Sequence, residues 1–383
     1  MISSYFPPRG YGGNAVYELC RQLTKQGLQV HVIAAKRNGE CVDQQLAGIH
    51  IHRVPTYFLK LFQTEYPVSP LVLRRILKCI LGDGIDLVHA NFEIFQTTFA
   101  SALAKRIAGK PMVLTMHGQG ITSKSSYGTG ALNSMWAVNH NTIERFTVRS
   151  ADRIIALTDA VRAKAIKLGA NPDKISVIPN GVDTDRFKPS IPKRRYSVEL
   201  DVTQEDKVIM FVGRLHPAHG IPLLLLAMPQ VIKIHPKAIF VLVGGGPLKP
   251  FVLRFIESQN LQKHVRVLDY REDIPELLNV AHLFVYPALS VGMPLSVLEA
   301  MASGKAVVAF DIEGNREIIS EKTGFLVHKI STNGLATEIA DVLSHLETTV
   351  ETGEKARNHM KSNFTWERVS TRIIDIYNGL VFA

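Results

Sequence analysis

Short apolar runs alternate with segments of helical spacing from one end of the chain to the other. VIMFV, AIFVLV, LFVY and AVVAF each fill a strand's length with residues that avoid water, as a strand covered on both faces does. Helical segments separate them. After MISSYFPP, which reads as the end of a strand, Val16, Leu19, Cys20 and Leu23 form one apolar side of a helix, and the strand LQVHVIAA follows. GIHIHRVP instead alternates apolar and polar positions, the mark of a strand with two unlike faces. Strand and helix in repetition predict an α/β protein of doubly wound, parallel sheets. Residues 183–204 hold prolines, polar groups and a basic run with little periodicity, and read as a linker. A last amphipathic helix carries Trp366, Val369, Ile373 and Tyr377 on one side. The expected domains are therefore 1–187 and 188–365, with a closing helix in 366–383.

Candidate chemistry concentrates in YPALSVGMPLSVLEAMASGKAVVA. A strand over Leu283 to Tyr286 enters a Pro/Gly turn, a helix begins near Pro294, and a buried strand follows over Ala306 to Phe310. Proline suits a first helical turn, where its missing N–H is not needed. The amides of Leu295 and Ser296 then face past the strand's C-terminal edge from the positive end of a helix, a geometry that binds phosphate. Glu299, one turn further, is placed to accept hydrogen bonds from a neutral polyol such as ribose. Other candidates stand at predicted strand ends, where open α/β sheets gather their ligands. They are Gly12 and Gly13, Gly213 and Arg214, Gly244 to Gly246, His89 and His117. GGGP lacks the G-K-[ST] of a P-loop. His50 and His52, two apart on one strand face, read as face residues rather than metal ligands.

GMPLSVLEAMASGKAVVA, GRLHPAHG and GGGP together resemble the retaining nucleotide-sugar glycosyltransferases of family 4, and the resemblance covers essentially the whole chain. It implies the GT-B fold, with a Rossmann-like acceptor domain, a Rossmann-like nucleotide-sugar domain, a cleft where their edges face, and a last helix crossing back to the first domain. It implies His117 beside the transferred sugar, Arg214 and His219 at the donor pyrophosphate, and Glu299 on the ribose. Donor contacts are further implied for Gly12, Gly13, Gly213, Gly245, Arg271, Val291, Gly292, Met293, Pro294, Leu295 and Ser296. Two positions depart from the family pattern. Val291 stands where a glutamate usually contacts the sugar, and His219 where a lysine usually neutralises the diphosphate. The implied reaction moves a sugar from a UDP- or GDP-sugar to a lipid-linked or polysaccharide acceptor. It needs no metal and no cofactor, the nucleotide sugar being a substrate. A catalytically weak nucleotide-sugar-binding protein of the same fold is the alternative that Val291 and His219 keep open.

Charge changes the picture for the first half. The 383 residues carry a formal net charge of +10; residues 1–187 hold 22 Lys and Arg against 13 Asp and Glu, and residues 188–383 hold 22 against 21. A basic first half suits an anionic partner. No zinc-finger, RRM or helix-turn-helix signature points to nucleic acid. Within residues 56–82, aromatics and leucines interleave with Lys60, Arg74, Arg75 and Lys78. Such a basic amphipathic stretch either lies on an anionic membrane or packs on its own sheet. The 46% hydrophobic and 20% charged composition is that of a soluble globular protein. No apolar run approaches the ~18 residues of a membrane span, and no basic-then-apolar leader opens the sequence. Three widely spaced cysteines indicate neither a disulfide framework nor a zinc site, and favour a reducing compartment. The expected location is cytoplasmic, free or peripheral on the inner face of the membrane.

Overall fold

The computed structural model describes residues 1–7, 14–61, 64–118, 140–191, 194–289 and 292–382. The chain divides into two compact units, one of Met1–Gly181 with Trp366–Ala383 and one of Val182–Thr365.

In the first unit the sheet is organised around Ile2. Its backbone bridges Ile33 on one side and Ala90 on the other, both in parallel, and so joins two blocks of strands. One block is β1 (His31–Lys36), β2 (Asp43–Leu46) and β3 (Ile49–Pro55), ordered β1-β3-β2 with β2 antiparallel. A separate hairpin follows, β4 (Tyr57–Leu61) with β5 (Thr64–Val68). The other block is β6 (Val88–Asn91), β7 (Met112–Met116), β8 (Arg153–Ala156) and β9 (Ile175–Val177), parallel and in chain order. Strands β6 and β7 are buried along their whole length. The last helix, Trp366–Val381, buries Trp366, Val369, Ile373 and Tyr377 within this unit.

The basic stretch at 56–82 divides in two. Its helix, Val72–Gly82, sends Val72, Ile76, Cys79 and Ile80 into the core beside Ala100 and Met112. Arg75 pairs with Asp43, while Arg74 and Lys78 stay exposed. The apolar side of this helix therefore packs on the protein itself. What remains outside is the hairpin, where Tyr57 and Leu59 are 71% and 50% exposed.

Among the described residues the second unit holds six strands, all parallel: β10 (Lys207–Val212), β11 (Ala238–Val243), β12 (Val265–Leu268), β13 (Leu283–Tyr286), β14 (Val307–Phe310) and β15 (Phe325–Val327). Helices Ile221–Ile234, Lys249–Ser258, Ile274–Val280 and Leu295–Ala302 supply the first four crossovers. Every residue of β11, β13 and β14 is buried, which is why these strands read as unbroken apolar runs. The strand order is β12-β11-β10-β13-β14-β15. It reverses between β10 and β13, and beside such a switch point, past the strands' C-terminal ends, doubly wound sheets bind their ligands. No helix among the described residues is long and apolar enough to cross a membrane. The three cysteines are free.

Candidate functional site

Two loops leave the switch point of the second sheet, one after β10 and one after β13. Gly213 and Arg214, both half-buried, follow β10. A 3-10 turn over Pro217–His219 then leads into the helix Ile221–Ile234. Between them Gly220 stands at φ +69°, and a Cβ there would lie 1.7 Å from the carbonyl oxygen of Pro287. Glycine meets both demands at once, the left-handed backbone and the close approach. The two loops are joined further: Leu289 N–H donates to the Ala218 carbonyl at 2.9 Å, and His219 Nδ1 meets the Tyr286 hydroxyl at 3.2 Å. A third loop, after β11, folds against the first. A Cβ on Gly244, at φ +134°, would sit 2.2 Å from the Gly213 carbonyl oxygen. Leu215 N–H donates to the Gly245 carbonyl at 2.9 Å. Gly213, Arg214, His219 and Gly245 are thus brought together.

Past β13 the chain runs through half-buried Gly292 and buried Met293 to Pro294, and the helix Leu295–Ala302 begins. Pro294 is the residue just before the helix, one position outside the first turn that the sequence suggested. Its side chain has no oxygen to offer, and no side-chain bond caps this helix start. The leading amides of a helix have no partner inside it. Leu295, Ser296 and Glu299 are half-buried.

Burial, with His216 and Arg214 near by, holds His219 down at about 4. At neutral pH it is an uncharged ring whose Nδ1 is engaged by Tyr286, not a fixed cation. Arg271 is drawn elsewhere. Its Nε and Nη2 hold Asp273 at 2.7 Å each, and its Nη1 and Nη2 also reach Glu199. The same fork keeps the Asp273 carboxyl at about 2. This guanidinium ties the loop after β12 to the helix Arg194–Glu199, which commits it to carboxylates and is at odds with a contact to the donor. Gly12, Gly13 and Val291 lie outside the described residues.

In the first unit, His117 follows β7 and is half-buried. Its Nε2 lies 3.0 Å from Asn91 Oδ1. The Asn91 amide nitrogen donates to the Ile2 carbonyl at 3.2 Å, so the oxygen is what faces His117 and the ring proton sits on Nε2. Burial pushes His117 down to about 3. It is a neutral hydrogen-bonding group. Its ring stacks on Phe92, 4.0 Å between centroids. Phe92 stands at φ +65°, a left-handed backbone that is costly for a bulky side chain and that tends to occur at functional sites. Sequence reading missed Phe92 and Asn91 as partners of His117, although Asn91 was visible as the end of IDLVHAN. It also missed a buried triad in which Lys164 Nζ lies 2.8 Å from Glu93 and 2.5 Å from Glu144. His89 is a core residue, its ring nitrogens met by the hydroxyls of Tyr377 and Thr115 at 2.5 and 2.6 Å.

Comparison with known proteins accords with this geometry. Residues 12–186 match the family model described as Glycosyltransferase Family 4, and residues 192–359 match Glycosyl transferases group 1. The UDP-Gal:alpha-D-GlcNAc-diphosphoundecaprenol alpha-1,3-galactosyltransferase of Escherichia coli is 30% identical over 89% of this chain and 84% of its own length. The alpha-maltose-1-phosphate synthase of Mycolicibacterium smegmatis is 29% identical over 98% of each chain. Among solved structures, Anabaena HepE in complex with UDP-glucose superposes with a TM-score of 0.79 at 21% identity, over 99% of this chain and 98% of that one. The chain belongs to glycosyltransferase family 4, and is an enzyme of the GT-B fold.

Proposed function

We propose that this glycosyltransferase moves a sugar, with retention of anomeric configuration and without a metal ion, from a UDP- or GDP-sugar to a lipid-linked or polysaccharide acceptor. One observation carries the reading: Arg214 and the uncapped start of the helix Leu295–Ala302 belong to the two loops that flank the switch point. In such a transfer the departing diphosphate gains negative charge, and catalysis consists largely in stabilising it. A guanidinium and backbone N–H groups already in place do this without reorganisation. Gly213, Gly245 and Gly292 let backbone approach the pyrophosphate beside Met293, Glu299 holds the ribose, and His117 offers the sugar a hydrogen bond. The Escherichia coli relative is named for UDP-galactose as donor and a diphosphoundecaprenol-linked acceptor, which supports both substrate classes.

The test is transfer in EDTA from UDP- and GDP-sugars to a polyprenyl-diphosphate sugar, with the anomeric configuration of the product read by NMR. A retained product is expected, and Glu299→Ala should raise the donor KM by roughly tenfold, the worth of one or two lost hydrogen bonds. Inverted product, or transfer only after a divalent cation is added, contradicts the proposal. A second reading, donor binding with little turnover, is favoured by the neutral state of His219. Donor binding without transfer to any acceptor would select it.

A peripheral contact with anionic membrane, at the cytoplasmic face, fits the same function. Exposed Tyr57 and Leu59 on the hairpin and exposed Arg74 and Lys78 on the next helix supply the apolar and cationic groups such contact uses. Sedimentation with anionic liposomes should weaken severalfold in Tyr57→Ser with Leu59→Ser. Wild-type protein that stays in the supernatant refutes it.

A further inference from the structure

A second cluster of polar side chains lies at the other end of the first sheet's strands from His117. His31 opens β1, His52 stands on β3, and Asp83 closes the C-terminal end of the helix Val72–Gly82. Each brings a donor atom to the same point. His31 Nδ1 faces His52 Nε2 at 3.0 Å, Asp83 Oδ2 lies 3.7 Å from His31 Nδ1, and all three atoms lie within 4.8 Å of one another. Two ring nitrogens on one tetrahedral zinc, each bonded at ~2.0–2.1 Å, stand roughly 3.3 Å apart. The spacing found is close to that of a zinc pair.

The surroundings are also those of a metal ligand. His52 Nδ1 lies 2.6 Å from Asp43 Oδ1, which places the ring proton on Nδ1 and leaves the lone pair of Nε2 facing His31. Metal-bound imidazoles are oriented by a carboxylate in just this manner. Arg75 pairs with the same Asp43 oxygen, so Asp43 is itself held in place; with the ring proton on Nδ1, the Arg75 Nη2 at 2.9 Å makes no hydrogen bond to that nitrogen. The His50 ring lies flat against His31, with centroids 4.7 Å apart and planes 15° apart, and packs that ring instead of turning a nitrogen to the point. Two imidazoles and one carboxylate form a zinc donor set; hard cations prefer all-oxygen cages.

We propose that His31, His52 and Asp83 bind zinc, with water as fourth ligand, and that the ion clips β1 and β3 to the end of the helix Val72–Gly82. The site is separate from sugar transfer and stands or falls without it. Sequence reading took His52, two from His50 on one strand face, as a face residue; its partners His31 and Asp83 are distant along the chain.

The test takes the full-length protein, stripped of metal with EDTA and desalted, and titrates it with Zn2+ and separately with Co2+. One equivalent of zinc should bind and raise Tm, and cobalt should give the visible absorption of a four-coordinate site. Asp83→Asn and His52→Asn should each weaken zinc binding about tenfold or more. Asp83 is exposed, so its variant should melt like metal-free wild type, and it decides the matter if His52→Asn does not fold. No uptake of a zinc equivalent by the wild type, or uptake undiminished in Asp83→Asn, overturns the proposal.

Discussion

His117 and His219 are both kept neutral by burial, at about 3 and about 4, against an ordinary histidine value of about 6.5. The consequence for stability has a definite sign. As pH falls below about 6.5 the unfolded chain takes up protons at these rings while the folded chain does not, so the folded state loses ground until the folded values are reached. Melting temperature should therefore fall between pH 7 and pH 5, and the fall should be shallower in His219→Gln. A melting temperature indifferent to pH over that window contradicts the assignment. Under the proposed function, the neutral ring would leave the charge beside the diphosphate to Arg214. Single residues were the least legible scale. Arg214, Glu299 and His117 stand out as candidates because each follows a strand end or a helix start that the sequence marks. Arg271 entered through the family resemblance, and only the structure shows Glu199, far away in sequence, taking part of its guanidinium. Glu93, Glu144 and Lys164 form their triad from separate segments and leave no local pattern.

At the scale of elements, the contact between the loops after β10 and β13 is the feature that shapes the site. It depends on Gly220, which the Pro287 carbonyl crosses at a distance no side chain tolerates. Gly220→Ala should destabilise the second unit by about 1–3 kcal/mol through the left-handed backbone alone, with a further loss as Pro287 is pushed away. A lower urea midpoint together with weakened nucleotide binding is expected; a variant that melts and binds like wild type contradicts this role. The elements themselves were largely legible. Strands covered on both faces must be apolar throughout, so β11, β13 and β14 declare themselves. The hairpin β4–β5 did not, because Tyr57 and Leu59 on it are exposed and its aromatics and leucines merged with the following helix into one amphipathic stretch. The helix after β13 starts at Leu295 and not at Pro294, since a proline serves just outside a helix as well as in its first turn.

On the scale of the whole molecule, each unit builds a largely parallel sheet, with Ile2 joining two blocks of strands in the first and the strand order reversing between β10 and β13 in the second. The alternation of strand and helix revealed this fold class, and the motif stretch revealed the family. The bridging role of Ile2 was hidden, because two or three residues of strand carry no periodicity. The proposed function requires the second unit to grip the pyrophosphate of a nucleotide with Arg214 and backbone amides in place of a metal ion. Isothermal titration of UDP and GDP in EDTA, into wild type and Arg214→Ala, tests this most directly. Saturable binding of one of the two is predicted without any divalent cation, weakened roughly 10- to 100-fold by the substitution, the worth of a charge-assisted hydrogen bond. Binding that appears only when magnesium or manganese is added, or that Arg214→Ala leaves unchanged, would contradict it.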